Sequence, residues 1–600
     1  MGFAKSIDIC RILLYNVGNY IQKGIIIMKR HLLRIISIIC CMVLCLGIFA
    51  SCAKTPDAPA ADAPAITADI AAIDQKATDD GKIIIAYDIP DEAVAAYESF
   101  EVRVYHNDTN NNMVCATTVD AAKKTAYIDT SYGKIRMEMV GVKGETADVL
   151  GNATASVWAD EYNFASLNGT FPVVYFTLEL FSMNGESRAN FENANANGKN
   201  IQFLADAPTF VSLERTAAYN WDKLPENVYT LPNTTYEKSI AGDFHGMNEV
   251  MAAYIKELHE VNPDSKFHFY CVDNYSDLIV RFFTAQGIKD ECFDATMISD
   301  GTASVSAFMS VFSDDATAQA NYATMKQSWE NIKKDAAEGK DWLPQIVFPA
   351  NEVACGPLWK YSLAMAAESD NIQWWCSRDN FTKNTTSQYM KELLAAQNKK
   401  TIQYFGINDM LSNLSEADQV ALKELFHFDG EMFSKAQAEG KKTLVIIGTS
   451  DSAEGNLDAY MKLLNKLYGD EYVIYYKGHP GYPTGLNADK IAMFERNGII
   501  DIDASIAAEL ILFYCPDIYL AGFPSTTYKS ALADKFLAMF DKNKVDGTGV
   551  ATQDGYGDMP DTFYTVVTIG STQYVKIENS ADNTVRYFNI TTGNFDNVTE

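Results

Sequence analysis

The stretch from Lys442 to Ala533 constrains the fold more than any other part of the chain, because short apolar runs alternate in it with amphipathic segments. The apolar runs cover residues 443–447, 472–476, 499–502 and 518–521, and the segments with helical spacing cover 456–467, 487–496 and 505–514, with Ser525 opening a last helix. Short right-handed crossovers fold such an alternation into a parallel, doubly wound sheet. Ligands of these sheets bind at the carboxyl ends of the strands, so we expect a functional site at that edge.

A second α/β domain is predicted ahead of this one. Its apolar runs cover residues 171–180, 200–204, 209–213, 266–271 and 296–298, and the first of them has the composition of a buried strand. Helical periodicity is clearest in residues 247–260, and residues 316–338, 387–394 and 416–425 also indicate helices. Two tandem doubly wound domains that face each other across a cleft are typical of GT-B glycosyltransferases and of periplasmic-binding-protein folds. We therefore predict the α/β class for residues 168–441 and 442–541.

The amino-terminal segment predicts export. Met28 begins a stretch with a basic start and an apolar core at residues 35–49, which is the pattern of a secretory signal. The small residues before Cys52 resemble the lipobox of bacterial lipoproteins, so we expect Cys52 to be the lipidated first residue of a mature protein in the cell envelope. A membrane-spanning helix is the alternative, but it needs about 20 apolar residues. Residues 1–52 are thus an upstream segment and signal peptide with Met28 as the true start, and residues 53–67 are a linker.

An all-β domain is predicted between the linker and the α/β part. Alternating runs at residues 82–87, 101–105, 125–128, 134–139 and 153–158, separated by turns, indicate a small sandwich of immunoglobulin or fibronectin type over residues 68–160. It contains no catalytic constellation, so we expect a spacer or binding module. Residues 542–600 form a β-rich tail, with apolar runs at 563–569, 574–578 and 585–590.

Charge and cysteine content restrict the partners of the protein. The 78 acidic and 49 basic residues give a net charge of −29, which argues against nucleic acid or an anionic membrane surface. A phosphate-bearing ligand is compatible with this charge, because backbone dipoles and one or two cations can hold it. The cysteines that follow Cys52 are scattered, without a C-x-x-C pair, so we predict neither a structural zinc site nor a dense disulfide framework.

His479 is one of seven histidines and lies between Gly478 and Pro480 directly after a predicted strand. Glycine permits a tight turn and proline fixes the exit of the chain, so the imidazole would be displayed at the sheet edge. An imidazole there can donate a proton near neutral pH. A surface histidine without a role is the alternative, and the neighbouring candidate residues favour a functional one.

Four further residues could carry chemistry. Ser525 and Thr526 open a helix after residues 518–521, where hydroxyls and free N–H groups can bind one phosphate, although an ordinary capping serine is common. Glu509 is the lone charge of a mostly apolar helix and could accept the hydroxyls of a ribose, or simply face solvent. Asp300 ends an apolar run before Gly301 and could accept a proton, although Asp-Gly is also a common turn pair.

The motifs YYKGHPGYP, AAEL and GFPSTTYKS occur in an order and spacing that resemble bacterial sialyltransferases of glycosyltransferase family 80. SDGT fits the acidic-acidic-glycine motif of that family, and IGT followed by EGN gives a weaker match. The resemblance covers the chain from about Phe171 to Ala533. Some members also carry a lipoprotein signal and an immunoglobulin-like domain ahead of the catalytic part, as is expected here.

The resemblance implies an inverting transfer of sialic acid from CMP-sialic acid to a hydroxyl of a galactoside-type glycan, without metal or cofactor. It implies that Asp300 is the general base for the acceptor hydroxyl and His479 the general acid for the leaving phosphate. Donor binding is assigned to Lys477, Gly478, Pro480, Glu509, Ser525, Thr526, Gly448 and Thr449. In this set Ser525 and Thr526 hold the phosphate, Glu509 binds the ribose, and the main chain of Lys477 and Gly478 contacts cytosine. Arg215, Asp273 and Asn274 are candidates for contacts to the acceptor or the sialyl group.

The chain departs from the family at Ser299, which replaces the first acidic residue, and at Ala453, which replaces the tryptophan that packs on the acceptor. Acceptor preference is therefore open, whereas donor recognition is expected to follow the family. Two alternatives remain: a GT-B transferase for another CMP-activated nonulosonic acid, and a surface lipoprotein that binds a glycan or solute. The export signal favours the binding protein, since CMP-sugars are made in the cytosol. An aspartate base and a histidine acid across one cleft favour the enzyme.

Overall fold

The structure is a computed structural model. It describes residues 66–106, 113–167, 170–196, 203–213, 219–231, 249–272, 282–298, 312–339, 370–376, 387–393, 402–404, 407–449, 454–479, 488–525, 527–528, 533–541 and 560–598. Apart from Ile66, all of these residues belong to one compact unit, Thr67–Glu600. Among the described helices none is both long and apolar enough to cross a membrane. Cys52, the signal peptide and the linker lie outside the described residues.

The amino-terminal part consists of two antiparallel sheets, as the alternating runs predict. Its strands are β1 (Asp69–Ala72), β2 (Lys82–Asp88), β3 (Ser99–His106), β4 (Met113–Val119), β5 (Thr125–Asp129), β6 (Gly133–Lys143) and β7 (Thr146–Val157), with one short helix at Asp91–Ala96. The strand orders are β1-β2-β5 and β4-β3-β6-β7. Every second side chain of β2 and β3 is buried, including Ile83, Ile85, Val102 and Val104. This period of two is the cause of the alternation in the sequence.

The first α/β sheet has seven strands, all paired in parallel. They are β8 (Glu161–Leu167), β9 (Thr209–Leu213), β10 (Val228–Thr230), β11 (Lys266–Val272), β12 (Phe293–Ile298), β13 (Ile372–Cys376) and β14 (Ile402–Tyr404). The order β10-β9-β8-β11-β12-β13-β14 runs outward in both directions from the β8–β11 pair. The direction in which successive strands are added to the sheet therefore changes between β8 and β11. This position is the switch point, where doubly wound sheets bind ligands.

Four helices alternate with these strands along the chain: Thr170–Ser182, Gly185–Ala196, Glu249–Val261 and Asp315–Ala337. The prediction of a strand at residues 171–180 is wrong, because this segment lies in the first of these helices. The side chains of residues 172–182 are buried on every side of the helix, so the helical period is absent from the sequence. Pro172, within the first turn, is compatible with a helix start.

The second sheet has nine strands and includes the tail. They are β15 (Lys442–Ile447), β16 (Tyr472–Lys477), β17 (Ile500–Ile502), β18 (Tyr519–Gly522), β19 (Phe536–Phe540), β20 (Thr562–Ile569), β21 (Thr572–Asn579), β22 (Thr584–Asn589) and β23 (Phe595–Asp596), in the order β17-β16-β15-β18-β19-β20-β21-β22-β23. Strands β17 to β20 pair in parallel, and the pairs from β20 to β23 are antiparallel. The tail, whose role the sequence leaves open, thus continues the second sheet. The predicted α/β class with a preceding all-β part is confirmed.

Both faces of the second sheet are covered. Leu444 and Ile446 pack into the core beneath helices Leu457–Tyr468 and Ala488–Asn497, while Val445 and Ile447 pack into the opposite core with helix Ala508–Tyr514 and the segment Gly430–Glu439. A strand that is buried on both faces has a continuous apolar run instead of an alternating one. This is why β15, β16 and β18 can be predicted from the sequence.

Helices Ile407–Asn413 and Glu416–Leu425 connect the two sheets. Asp418 accepts hydrogen bonds from Asn184, between helices Thr170–Ser182 and Gly185–Ala196, and from Ser187 of the second of these helices. On the other side, the Lys423 ammonium lies 4.0 Å from the ring centre of Tyr514, in the helix that carries Glu509. This helical pair therefore fixes that helix relative to the first sheet.

His268 joins three strands at the amino-terminal edge of the first sheet. Its Nδ1 lies 2.7 Å from a carboxylate oxygen of Asp294, and its Nε2 lies 3.3 Å from one of Glu161. Burial opposes charging of the imidazole, but the hydrogen bonds and charges of the two carboxylates outweigh it and raise the pKa of His268. The charged imidazole therefore stabilises the fold.

We expect His268→Gln to destabilise the protein more at low pH than at high pH. A raised folded-state pKa gives stability that is fully present below the unfolded value of about 6.5 and is lost as pH rises through the folded value. Urea unfolding at pH 5.5 should show a deficit of about 1–2 kcal/mol for the variant, and this deficit should shrink at pH 9. An equal deficit at both pH values would show that packing, and not charge, explains the effect.

Candidate active site

Five strand ends lie side by side at the carboxyl edge of the second sheet. Ile447 pairs with Lys477 on one side and with Gly522 on the other, so the loops after β15, β16 and β18 begin in one row. Lys477 also pairs with Ile502, and Gly522 pairs with Met539. The connection reverses between β15 and β18, as it does at the switch point of the first sheet. This row is the edge where the sequence predicts a ligand site.

Gly522 permits a very close approach of β15 and β18. Its φ is +142°, and a Cβ atom there would lie 2.3 Å from the carbonyl oxygen of Ile447. The same carbonyl accepts a hydrogen bond of 3.0 Å from the N–H of Phe523. Any larger residue would push the two strand ends apart, so glycine is required for the shape of the switch point.

Lys477 is buried, and its ammonium is used inside the protein. It donates to the carbonyl oxygens of Gly478 at 2.9 Å and Ala504 at 2.8 Å. The side chain therefore fixes the start of the loop after β16 to the loop after β17. The contact of the Lys477 and Gly478 main chain with cytosine stays a prediction.

His479 is exposed at the carboxyl end of β16, two residues beyond the buried Lys477. The hydrogen bonds of Lys477 hold the loop that carries it, and β15 lies next to β16. His479 therefore follows a strand that lies beside the switch point, and its role as an acid stays a prediction. Pro480, predicted to fix the chain after it, lies outside the described residues.

Glu509 is 4% exposed, so the alternative that it faces solvent is wrong. It lies in the first turn of helix Ala508–Tyr514. Burial raises the pKa of this carboxyl, and its own backbone N–H together with the charge of Lys477 partly offsets the rise. A buried carboxylate whose charge is only partly stabilised by neighbouring groups can accept hydrogen bonds from the hydroxyls of a ligand.

Ser525 lies after β18, in the same row of strand ends. Its hydroxyl donates to the hydroxyl of Thr527 at 3.0 Å and accepts from the N–H of Thr527 at 3.3 Å. Residues 527 and 528 form the start of a helical turn. This geometry is that of a capping serine at a helix start, which is compatible with a bound anion. Thr526 lies outside the described residues.

The predicted residues of the first domain all lie outside the described residues. Asp273 and Asn274 follow directly on β11, and Asp300 follows shortly after the neighbouring strand β12. Arg215 follows shortly after β9. Their roles stay predictions, as do those of the donor residues.

Gly448 and Thr449 form the loop after β15, and a network that the sequence did not predict holds them. Its centre is Glu454, whose carboxylate accepts hydrogen bonds from the N–H of Thr449, the hydroxyl of Tyr476 and the ammonium of Lys490. The EGN match placed Glu454 near this loop without indicating these partners. In the part of the chain that the structure describes, no three His, Cys, Asp or Glu side chains are grouped to bind a metal ion.

No family model matches the chain, and no curated protein does either. Several solved structures are similar. A 2,6-sialyltransferase of Photobacterium sp. JT-ISH-224, solved in a ternary complex with CMP and lactose, is 12% identical with a TM-score of 0.48 and matches over 75% of this chain and 85% of its own. A sialyltransferase from Photobacterium damsela is 13% identical with a TM-score of 0.45 over 79% and 90%. An α/β-galactoside α-2,3-sialyltransferase from Photobacterium phosphoreum is 12% identical with a TM-score of 0.45 over 65% and 93%.

Proposed function

We propose that the protein is an inverting glycosyltransferase that moves sialic acid from CMP-sialic acid to a hydroxyl of a galactoside-type glycan. The observation that carries this proposal is the row of strand ends in the second sheet. It combines an exposed histidine, a buried carboxylate and a capping serine around one switch point. A nucleoside monophosphate that leaves a sugar needs an acid for its departure, a carboxylate for its ribose hydroxyls and a hydroxyl for its phosphate.

The donor binds along the second sheet. Ser525, with Thr526, holds the phosphate through hydroxyl and N–H groups. Glu509 accepts hydrogen bonds from the ribose hydroxyls, and the main chain of Lys477 and Gly478 contacts the cytosine. Since Lys477 keeps its ammonium on two carbonyls, the base meets a fixed loop. Pro480, Gly448 and Thr449 complete this donor side.

In the reaction the acceptor oxygen attacks the anomeric carbon of the sialyl group, and the bond from that carbon to the phosphate oxygen breaks. Asp300 takes the proton of the attacking hydroxyl, and His479 protonates the leaving phosphate. Attack opposite to the leaving group inverts the configuration. We expect the histidine and the hydroxyls to neutralise the developing charge without a metal ion. Arg215, Asp273 and Asn274 contribute to the acceptor or sialyl contacts.

We also propose that the protein is anchored through a lipid on Cys52 and acts in the cell envelope. The proposal rests on the basic start, the apolar core and the small residues before this cysteine. Metabolic labelling with a radioactive fatty acid tests it, because Cys52→Ser should remove both the label and membrane association. Label that persists in the variant contradicts a lipid at this position.

Glu509→Gln tests donor recognition without any chemical step. Loss of a charged acceptor for two ribose hydroxyls is expected to weaken CMP binding about 10- to 100-fold. The wild type should also bind 2′,3′-dideoxy-CMP weakly, whereas the variant should bind CMP and the dideoxy nucleotide almost equally. Isothermal titration calorimetry measures all four affinities.

The control is Glu495→Gln, which changes an exposed carboxylate of the same sheet's helix Ala488–Asn497. It should bind CMP like the wild type. Equal CMP affinities of the wild type and Glu509→Gln would remove Glu509 from the site. A wild type that binds a glycan but no CMP would favour the binding lipoprotein.

A further inference from the structure

The carboxylate of Glu454 is a convergence point for three segments of the second sheet. One oxygen accepts the N–H of Thr449 at 2.7 Å and the hydroxyl of Tyr476 at 2.7 Å. The other lies 2.9 Å from the same hydroxyl and accepts the ammonium of Lys490 at 3.1 Å. The Glu454 side chain is 4% exposed and that of Lys490 14%. This is a largely buried ion pair in which both carboxylate oxygens of Glu454 accept hydrogen bonds, and such a network keeps one geometry when all its members are present.

The loop after β15 packs directly on this ion pair. A Cβ atom on Gly448 would lie 2.4 Å from the Tyr476 hydroxyl and 2.7 Å from the Glu454 carboxylate, so only glycine fits. The N–H of Gly448 continues the pairing with β16 by donating to the carbonyl oxygen of Lys477 at 2.9 Å. Because the N–H of Thr449 points to Glu454, a ligand at this edge meets Thr449 through its hydroxyl or carbonyl.

The turn that contains Glu454 also reaches the far side of the switch point. The side chain of Asn456 hydrogen-bonds to the hydroxyl of Tyr460, which in turn donates to Asp541, directly after β19. The ring of Tyr460 packs on Phe523, the residue after β18, with centroids 6.0 Å apart. One turn is therefore connected to the ends of β15, β16, β18 and β19.

We propose that Glu454 is a positioning residue for the nucleotide-sugar donor. It holds the ends of β15 and β16 together, so that the loop of Gly448 and Thr449 and the loop that carries His479 keep their relative position when the donor binds. This inference rests on the proposed function. Since the loops are ordered before binding, the donor meets a formed site and loses less free energy in ordering it.

Donor affinity distinguishes this role from a purely structural one. A residue that only stabilises the fold changes the unfolding temperature, but it leaves the CMP affinity of the folded protein unchanged. A positioning residue for the donor changes CMP affinity and donor KM while acceptor KM stays the same, because Ala453 beside it lacks the ring that packs on the acceptor in the family and the remaining acceptor candidates lie in the first domain.

The experiment compares Glu454→Ala, Glu454→Gln, Lys490→Met and the double variant Glu454→Gln with Lys490→Met. CMP affinity is measured by calorimetry, and donor and acceptor KM are measured below the unfolding temperature of each variant. Glu454→Ala should raise the CMP Kd and donor KM about tenfold or more, with acceptor KM within about twofold. Glu454→Gln keeps acceptors for Thr449 and Tyr476 and should lose less. The double variant should lose less than the product of its single changes, because the two charges are coupled.

Lys462→Met is the matched control, since Lys462 forms a half-exposed ion pair with Asp458 within helix Leu457–Tyr468. It should bind CMP like the wild type. If the wild type binds CMP and a folded Glu454→Ala variant binds it with equal affinity, this inference is contradicted and the proposed function is not. If Glu454→Ala does not fold, two other results together contradict the inference. The CMP affinity of Glu454→Gln would equal that of the wild type, and the loss of affinity in the double variant would equal the product of the two single losses. A wild type without CMP affinity contradicts the proposed function, and this inference with it.

Discussion

Replacing His479 by alanine is expected to reduce transfer from CMP-sialic acid by about 10²–10⁴-fold, the usual contribution of a general acid. The CMP affinity should stay close to that of the wild type. His479 is exposed, and the loop that carries it is held by the buried ammonium of Lys477, so the substitution leaves the fold and the donor contacts in place. Turnover and CMP binding are measured on the same preparation by product quantification and calorimetry.

His427→Asn is a suitable control, because His427 is another exposed histidine and asparagine tolerates its φ of +52°. It should transfer at the wild-type rate. If His479→Ala also turns over like the wild type, His479 is not the acid. If it loses CMP affinity in proportion to rate, His479 binds the donor instead of assisting its departure.

Asp300→Asn is expected to reduce the transfer rate by a similar factor of about 10²–10⁴, because asparagine cannot take the proton of the acceptor hydroxyl. The CMP affinity and the donor KM should be unchanged, since the proposed donor site lies on the second sheet. Steady-state kinetics with both substrates varied separates these effects.

The control for this variant is Asp264→Asn on the surface of the first domain. Asp264 pairs with Lys289 at 2.9 Å, and its side chain is 80% exposed, so its loss should change little. A wild-type rate for Asp300→Asn would contradict its assignment as the base. Another carboxylate of the first domain would then have to take the proton.

The sequence predicts the second sheet well and part of the first sheet poorly, for one physical reason. Strands β15, β16 and β18 are buried on both faces, so each appears as a short apolar run bounded by turns. Helix Thr170–Ser182 is buried all round and produces the same kind of run, so it was predicted as a strand. A period-based criterion cannot separate these two cases, although length and Pro172 in the first turn could have favoured the helix.

The candidate site could likewise be predicted only in part from the sequence. Short motifs select His479, Glu509 and Ser525 as candidates, and in the structure these residues follow β16, β17 and β18. The motifs did not indicate that Glu509 is buried, because burial depends on contacts with segments far away in sequence. The partners of Glu454 are also distant: Tyr476 and Lys490 belong to a later strand and helix, and no local pattern connects them.

Incubation of the purified protein with CMP-sialic acid and lactose tests the central claim most directly. Mass spectrometry should detect sialylated lactose together with an equal amount of free CMP, and neither should form at a comparable rate with His479→Ala. Free sialic acid and CMP without sialylated sugar would indicate hydrolysis on water and leave the acceptor unidentified. Unchanged CMP-sialic acid after prolonged incubation, with this and other galactosides, would contradict the proposed sialyltransferase.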